Sequence, residues 1–461
     1  MSPSDSIAAT RPGSDVVRGL QAEAVDLLQA LLRIDTTNLP GNETAAAVLL
    51  QDYLSSHGVE CELVARDPAR ANLIARLPGR GTGPSMALVG HTDVVPAEAG
   101  EWTHPPFSGH LDADGFLWGR GSCDMKNEVV TRAVTLAHLA RTGFRPNGDL
   151  LLLAVADEEV GVDGIGMSWL VQERPDIATD YALNEGAAER LELSDGRTVV
   201  TLNVGEKGAM AARVTAVGEP AASTLIAPGS RAIPRLATLI GRLDAYQPRR
   251  RLAPGTEAML HALLPDADVT GDLDAALASA VALHPAFADI VAPLFAMTVA
   301  PTVLHGSSAL NVSPSRASVD CDCRTVPGMS TQDVLDELSE ALRSDLPYEV
   351  ECVEPVVGGS SSSLDTALFD ACRTWVEAND PGAVLLPTFL NGFTDSHYLR
   401  EAFGTLAYGF WPVRSTPYEV MANGVHAHDE RVHVDDLGYA TAFHVSACLE
   451  IGSHTFATTP T

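Results

Sequence analysis

Short, almost wholly apolar runs that alternate with helical stretches are the feature that most constrains the fold of this chain. The clearest runs are ANLIARL, SMALVG and DLLLLAVA in the first third of the chain, and LLPTFLN and GTLAYGFWP near its end. Apolar residues recur at helical spacing in residues 16–35, 43–57 and 127–142. Because strands that are buried on both faces read as continuous apolar runs, the pattern predicts an α/β fold with a central parallel or mixed sheet between helices, and we expect the mixed form.

The pattern changes after Lys207 and predicts a second, smaller α+β domain inserted into the larger one. GAMAARVTAV and RASVDCDCRT alternate as half-exposed strands do, and residues 230–243 and 330–343 have helical spacing. The tract GGSSSSLD is typical of a linker back to the larger domain. The expected division is a flexible tail at 1–15, the larger domain at 16–207 and 357–461, and the inserted domain at 208–356.

Composition limits the partners and the compartment. The formal net charge of −30 argues against nucleic-acid or anionic-membrane binding. No apolar stretch approaches the roughly 20 residues of a membrane helix, and the N-terminus lacks the order of a signal peptide. The seven cysteines are scattered without a CxxC pair, so we expect neither disulfides nor a cysteine zinc site. A reducing, cytoplasmic location follows as the prediction.

Polar residues stand where several of the apolar runs end or turn. They are His91 and Asp93 after SMALVG, Asp124 in GRGSCDMKN, Asp157, Glu158 and Glu159 after DLLLLAVA, Glu185 in YALNEG, and His426 and His428 in VHAHDE. Ligands of open α/β sheets bind at the carboxyl ends of strands, so these positions are candidates for one site. Taken singly, each also has a structural explanation, such as a helix N-cap for Asp124 or a surface location for the histidine pair.

The three consecutive acids at 157–159 are the hardest to explain structurally. Their mutual repulsion after a buried strand would cost stability unless a cation or a proton compensates, although surface exposure is the alternative. The Asp93 carboxylate, two residues after His91, can accept a hydrogen bond from the imidazole N–H and fix its tautomer. Carboxylates often do so beside zinc-binding histidines.

In order along the chain, HTDVVP, WTHPPF, GRGSCDMKN, ADEE, NEG and H-x-x-D-E resemble the motifs of one metallopeptidase family. This family contains glutamate carboxypeptidase, cytosolic dipeptidases, aminoacylase, acetylornithine deacetylase and succinyl-diaminopimelate desuccinylase. The resemblance covers nearly the whole chain, including NVSPSRASVDCDCRTVPG and FTDSHYL. It implies that the larger domain is a zinc-hydrolase catalytic domain and that the inserted domain is a lid that mediates a homodimer.

The resemblance implies two zinc ions, with Co²⁺ and Mn²⁺ as the alternative metals. The ligands would be His91, Asp124 and Glu185 for one ion, and Asp124, Glu159 and His426 for the other. A shared carboxylate suits ions about 3.5–4 Å apart, and mixed nitrogen and oxygen ligands suit zinc. The family pattern further implies a cis peptide bond between Asp124 and Met125.

The resemblance also implies the catalytic roles. Glu158 would be the general base that takes a proton from a metal-bound water, the nucleophile, and passes it to the departing nitrogen. Asp93 would orient His91. Consecutive side chains diverge, which is why Glu158 and Glu159 can have different roles.

In the lid, Asn311 and Arg324 match residues that bind the substrate, and a guanidinium fits a substrate carboxylate bidentately. A surface salt bridge with Asp320 or Asp322 is the alternative for Arg324. His397 replaces the arginine that is commoner at its position in the family, which affects substrate contacts rather than metals.

One departure concerns the family's lid histidine, which stabilises the oxyanion across a dimer interface. This chain reads VGEPAASTLIAP in that segment, with alanine at 221 and 222. Losing an oxyanion donor typically costs about 100–1,000-fold in rate. Either the activity is weak or another residue, such as His305, substitutes.

The sequence therefore predicts a dinuclear zinc hydrolase of an amide bond in small peptides or N-acyl amino acids, similar to an exopeptidase, carboxypeptidase, dipeptidase or aminoacylase. A biosynthetic N-deacylase or desuccinylase is the second hypothesis. A metal-binding homologue with impaired catalysis is the third, which the missing lid histidine favours and the presence of Glu158 opposes.

Overall fold

A computed structural model of the chain describes residues 12–161, 164–222, 229–343 and 345–456. Residues 1–11 of the predicted tail lie outside these ranges, and Ser14 and Asp15 already belong to the first helix. No helix in the described ranges has the length and apolar character needed to cross a lipid bilayer.

The described residues form the following elements, numbered in chain order. The α-helices are α1 Ser14–Leu32, α2 Glu43–Ser56, α3 Lys126–Arg141, α4 Met167–Glu173, α5 Ala232–Ala245, α6 Pro254–Leu263, α7 Leu273–Leu283, α8 Phe287–Ile290, α9 Thr331–Leu342, α10 Ala367–Asn379, α11 Ser396–Phe403, α12 Tyr418–Gly424 and α13 Val434–Ser453. The strands are β1 Glu60–Val64, β2 Asn72–Leu77, β3 Met86–His91, β4 His110–Leu111, β5 Phe116–Trp118, β6 Leu150–Val155, β7 Tyr181–Ala188, β8 Arg190–Glu192, β9 Thr198–Glu206, β10 Gly208–Val217, β11 Ala221–Ala222, β12 Thr298–His305, β13 Val312–Ser313, β14 Arg316–Thr325, β15 Tyr348–Gly358, β16 Val384–Leu390, β17 Leu406–Pro412 and β18 Arg431–His433.

The chain divides into two compact units. The first comprises Met1–Val204, Ser362–Pro387 and Thr394–Thr461, and the second comprises Gly205–Ser361 and Thr388–Phe393. The Glu206 carboxylate accepts hydrogen bonds from the backbone amide and the hydroxyl of Ser360, at 3.2 and 2.6 Å. This contact joins the two ends of the inserted segment inside the second unit, slightly outside the boundaries 208 and 356 expected from the pattern.

A large mixed sheet forms the centre of the first unit. Its strand order is β1-β2-β6-β3-β7-β17-β9-β16, with β8 beside β9. The neighbours β6, β3, β7 and β17 run parallel, whereas β1, β2 and β9 pair antiparallel. The predicted α/β class with a central mixed sheet is confirmed.

Helices cover both faces of this sheet, which explains the apolar runs. Every residue of β3 and β6 is buried. Leu170 of α4 and Leu399 of α11 pack on one face against Val89 and its neighbours. Helix α3 packs on the other face, where Val129 approaches Gly90. With no solvent-exposed face, these strands have no positions that favour polar residues until they end.

The second unit contains a four-stranded antiparallel sheet in the order β12-β14-β10-β15. As predicted, GAMAARVTAV and RASVDCDCRT are strands, and they pair along their whole length as β10 and β14. Helices α5 and α9 pack on one face of the sheet and share its apolar core. Helices α6, α7 and α8 occupy the stretch 247–300, to which the sequence pattern assigns no elements.

Candidate active site

The polar residues that follow the buried strands meet at one place in the first unit. The ligand atoms of His91, Asp124 and Glu159 all lie within 4.8 Å of one another. The same holds for His91, Glu158 and Glu185. His426 Nε2 lies 3.0 Å from Glu159 Oε2, so the five predicted metal ligands and the predicted general base form one cluster.

Asp124 lies at the centre of the cluster, between two imidazoles. Its Oδ1 is 3.1 Å from His91 Nε2, and its Oδ2 is 3.1 Å from His426 Nε2. The His426 Nε2 atom also lies 3.0 Å from Glu159 Oε2. Each carboxylate oxygen of Asp124 thus faces a different imidazole, and the following peptide bond to Met125 is cis, as the resemblance implied.

His91 is oriented by the backbone of Asp93 more closely than by its carboxylate. The imidazole Nδ1 lies 3.0 Å from the Asp93 carbonyl oxygen and 3.5 Å from Oδ1. Donation from Nδ1 to the carbonyl leaves Nε2 directed at Asp124. The expected partner residue is present, but a different atom of it is the nearer acceptor.

The Asp93 carboxylate mainly holds the turn that carries the two glutamates. It accepts hydrogen bonds from the backbone amides of Glu158 and Glu159, both at 3.1 Å, and from the Asn38 side chain at 3.0 Å. Because the amides of Glu158 and Glu159 both donate to this one carboxylate, the backbone positions from which the two glutamate side chains extend are fixed. Glu158 and Glu159 can then point in different directions, with Glu158 Oε2 3.9 Å from His91 Nε2.

Asp157 begins this turn in a left-handed backbone conformation, with φ of 63°. Such a conformation is sparsely populated for residues other than glycine and needs support from its surroundings. The support comes from Asn38 Nδ2 at 2.8 Å and Arg70 Nη2 at 3.1 Å, which both donate to Asp157 Oδ1. Arg70 is itself held by the buried Glu43 carboxylate.

The buried Glu430 carboxylate fixes the loop that presents Asp124. Its Oε1 accepts from the backbone amides of Cys123 at 2.6 Å and Asp124 at 3.0 Å. Its Oε2 accepts from the Gly121 amide at 3.1 Å and from Arg120 Nη1 at 2.7 Å. Glu430 is the last residue of the H-x-x-D-E motif, but the motif alone does not indicate that this glutamate binds the loop of Asp124.

Charge in the cluster is strongly unbalanced. Burial, reinforced by neighbouring carboxylates, raises the pKa of Glu158 and of Glu185 well above the ordinary range. For Asp124, burial acts in the same direction, but the hydrogen bonds with His426 and His91 outweigh it and lower the pKa. Hydrogen bonds to Asp124 and Glu159 raise the pKa of His426 to about 10. These shifts mark a site with more negative charge than its own residues neutralise.

Two carboxylate oxygens of the cluster have no hydrogen-bond donor within the described part of the chain. They are Glu159 Oε1 and Glu185 Oε2, and both are buried. A buried charged oxygen without a donor is costly, so such atoms point to a cation or another missing partner. Both residues are predicted metal ligands.

The predicted substrate residues of the inserted domain lie in the second unit. Asn311 is exposed, and Arg324 Nε is 3.0 Å from Asp322 Oδ1. The salt bridge that was the alternative for Arg324 is therefore present. Its role toward a substrate stays a prediction.

The segment of the missing lid histidine is only partly described. Ala221 pairs with Ser313 and Ala222 pairs with Val312, and residues 223–228 lie outside the described ranges. His305, the suggested substitute, has its Nε2 2.9 Å from Asp320 Oδ2.

His397 lies at the start of α11, where its Nε2 is 3.1 Å from Glu401 Oε2. Two residues earlier, Asp395 is a site residue that the sequence patterns did not single out. It is buried, and burial raises its pKa to about 7 although the nearby His91 opposes the shift. The tract FTDSHYL drew attention to His397 only.

Comparison with known proteins identifies the family. Residues 87–450 match Peptidase family M20/M25/M40. The chain belongs to this family. Membership confirms the resemblance and the enzyme class, so this M20/M25/M40 protein is a hydrolase of amide or peptide bonds.

Two curated relatives cover most of this M20/M25/M40 chain. Aminoacylase-1 of Mus musculus is 27% identical over 424 residues, which cover 89% of this chain and 91% of the relative. A probable succinyl-diaminopimelate desuccinylase of Staphylococcus aureus is 25% identical over 394 residues, which cover 82% and 86%.

Solved structures show the same fold. An M20 family metallo-carboxypeptidase from Sulfolobus solfataricus superposes with a TM-score of 0.68 at 19% identity, covering 93% of this chain and 99% of the other. A Bacillus subtilis protein described as a dinuclear metal binding peptidase of the M20 family gives a TM-score of 0.60 at 14% identity, with coverage of 94% and 99%.

We predict that Arg120→Met destabilises the first unit by about 3–5 kcal/mol, because it leaves the buried Glu430 carboxylate without its ion-pair partner. Urea denaturation followed by tryptophan fluorescence measures this, since all five tryptophans lie in the first unit. Arg373→Met, which breaks exposed ion pairs with Asp370 and Glu377, is the matched control and should cost at most about 1 kcal/mol. Equal losses in the two variants would contradict a stabilising role for the Arg120–Glu430 ion pair.

Proposed function

We propose that this M20/M25/M40 protein is a dinuclear zinc hydrolase of small peptides or N-acyl amino acids. The observation that carries the proposal is the Asp124 carboxylate, with one oxygen facing His91 and the other facing His426. In this proposal His91, Asp124 and Glu185 hold one ion. Asp124, Glu159 and His426 hold the other.

The chemistry of the cluster suits two divalent cations. Four carboxylates, those of Asp124, Glu158, Glu159 and Glu185, meet two imidazoles, and two divalent ions would balance four negative charges. Imidazole nitrogen with carboxylate oxygen is a common ligand combination for zinc. Glu159 Oε1 and Glu185 Oε2, which have no donor among the described residues, would each gain a partner. Co²⁺ and Mn²⁺ remain alternatives.

Glu158 carries the proton transfers in this proposal. Zinc, when bound, would acidify a water and polarise the scissile carbonyl. Glu158 accepts the proton of the attacking water and delivers it to the departing nitrogen. A general base works best when its pKa is near the working pH, and the burial of Glu158 moves its pKa in that direction. Asp93 keeps Glu158 in place through its backbone amide.

The names of the relatives support an N-acyl amino acid as the substrate class. Both the aminoacylase and the probable desuccinylase are named for removing an acyl group from an amino-acid nitrogen. A biosynthetic N-deacylase is therefore the second candidate, favoured by the desuccinylase relative. For either candidate, Asn311, Arg324 and His397 are the predicted contacts of the substrate. The position of Glu158 inside the cluster argues against a homologue without catalysis.

A cytoplasmic homodimer completes the proposal. All seven cysteines are free thiols, which fits a reducing compartment. Strand β12 is an edge of the inserted sheet and exposes apolar side chains, with Val303 50% and Leu304 69% exposed. A second copy that pairs along this edge would cover both the open backbone groups and the apolar surface.

We predict that Glu158→Gln retains zinc but loses about 100–10,000-fold in kcat, because the amide cannot accept the proton. Metal content and turnover are measured on the same preparation, with the exposed Glu173→Gln as the matched control. Unchanged turnover would contradict the general-base role. Loss of zinc together with turnover would instead make Glu158 a ligand, which is a real alternative because it lies beside His91 and Glu185.

A substrate screen decides the reaction. Zinc-loaded protein is assayed with dipeptides, acetyl-amino acids and succinyl-amino acids, each with and without a chelator. We expect amide hydrolysis that the chelator abolishes and added zinc restores, with acyl-amino acids preferred over dipeptides. Hydrolysis that persists without metal would refute the metal mechanism, and a preference for dipeptides would refute the acyl-amino-acid assignment.

A further inference from the structure

We infer that Arg132 is a positioning residue whose buried guanidinium holds apart the ends of β3 and β7 and so sets the separation of His91 and Glu185. The inference deepens the proposed function and rests on it, because there these two side chains bind the same ion. Four observations in the first unit carry it.

The pairing of β3 with β7 stops just before the site. It runs from Met86 opposite Tyr181 to Leu88 opposite Leu183 and then ends. Strand β3 nevertheless stays paired with β6 as far as His91, and β7 stays paired with β17 as far as Ala188. Strands β3 and β7 therefore separate from each other while each keeps its other neighbour, and they do so immediately before the residues that bear the proposed ligands.

Arg132 fills the gap that this separation leaves. The side chain extends from α3 and is fully buried. Its guanidinium donates to the carbonyl oxygen of Val89 through Nη1 and to that of Asn184 through Nη2, the latter at 2.8 Å. Val89 and Asn184 directly follow the last paired residues, so the guanidinium supplies donors on both sides of the gap.

The sequence around His91 leaves room for this arrangement. A Cβ atom at Gly90 would lie 3.3 Å from Arg132 Nη1, 3.0 Å from Met125 Cε and 2.8 Å from Val129 Cγ2. A side chain at position 90 would therefore push α3 and the guanidinium away from the strand. Glycine between Val89 and His91 permits the close approach.

Glu128 completes the arrangement one helical turn earlier. Its Oε2 accepts from Arg132 Nη2 at 2.6 Å, and its Oε1 accepts from the Gly186 amide at 3.4 Å. The pair therefore binds the backbone on both sides of Glu185, at the Asn184 carbonyl and at the Gly186 amide. We call this pair of Glu128 and Arg132 the brace. Because the two side chains neutralise each other, the brace adds no net charge to an already acidic site.

The brace should act on one proposed ion more than on the other. His91 and Glu185 extend from the two strands that Arg132 separates. Glu159 and His426 belong to the 157–159 turn and to the loop before β18, which Arg132 does not contact among the described residues. Loss of the brace should therefore weaken the ion at His91 and Glu185 first.

The test is zinc titration of the full chain with Glu128→Gln/Arg132→Met, which removes the pair without leaving a buried charge. We expect one of the two ions to bind about 10–100-fold more weakly, with the other unchanged. The matched control is Arg141→Met, which removes an arginine from the same helix and breaks its ion pair with Glu23. It should leave both affinities unchanged. Equal weakening of both ions in the double variant, or of neither, would overturn the inference.

A crystal structure of the metal-free double variant separates this inference from the proposed function. We expect the β3–β7 pairing to extend past Leu88 and Leu183, and unchanged positions of Val89 and Asn184 would overturn the brace. If the unaltered protein binds fewer than two zinc ions, the proposed function fails and the strand positions alone decide the inference. Should the double variant not fold, Arg132→Lys keeps the buried charge without the planar fork, and the same two measurements apply to it.

Discussion

The contact of one carboxylate with two imidazoles at Asp124 is the constraint on which the rest of the active site depends. The His91 and His426 nitrogens approach its two oxygens at the same distance of 3.1 Å, although 335 positions separate the histidines in sequence. Such a contact requires the sheet, the glycine-rich loop and the C-terminal segment to be placed together. Glu430 contributes directly, because its carboxylate accepts hydrogen bonds from the backbone of the Asp124 loop and Glu430 belongs to the same motif as His426.

The structure around this contact accommodates an excess of buried acid. The Asp93 carboxylate accepts hydrogen bonds from backbone amides and from Asn38, and the Asp157 carboxylate accepts from Asn38 and Arg70. Asp93 therefore has donors on both oxygens and can remain charged without a cation, whereas Asp157 has donors on Oδ1. The glutamates of the cluster are different. Burial and neighbouring carboxylates raise the pKa of Glu158 and of Glu185, and the buried Glu159 Oε1 and Glu185 Oε2 atoms have no donor among the described residues. This difference separates acids that support the site from acids that would carry its chemistry.

The apolar runs and the alternating segments predicted the central sheet and the strands β10 and β14 because their periodicity follows directly from burial on two faces or on one. The candidate ligands were found because acids and histidines stand out where such strands end. Asn38, Arg70, Arg132 and Glu430 were missed for a physical reason. Each acts through contacts with residues far away in the sequence: Asn38 and Arg70 bind distant carboxylates, and Arg132 and Glu430 bind distant backbone. Nothing in the local sequence distinguishes any of them from a helix, loop or motif residue with an ordinary role.

Two further differences show the same limit. The pattern placed the Asp93 carboxylate on His91, but the choice between that carboxylate and the adjacent carbonyl depends on which other donors reach Asp93. No helices or strands were predicted in residues 247–300. Helices there, such as α7, are rich in alanine and leucine, so they lack the polar face that would make a helical spacing of apolar residues visible in the sequence.

Anomalous X-ray diffraction from crystals of the zinc-loaded protein, recorded on both sides of the zinc edge, tests the central claim most directly. The account predicts two peaks per chain, one beside each carboxylate oxygen of Asp124, with His91 and Glu185 around one peak and Glu159 and His426 around the other. Absence of both peaks, or zinc bound only away from Asp124, would contradict it.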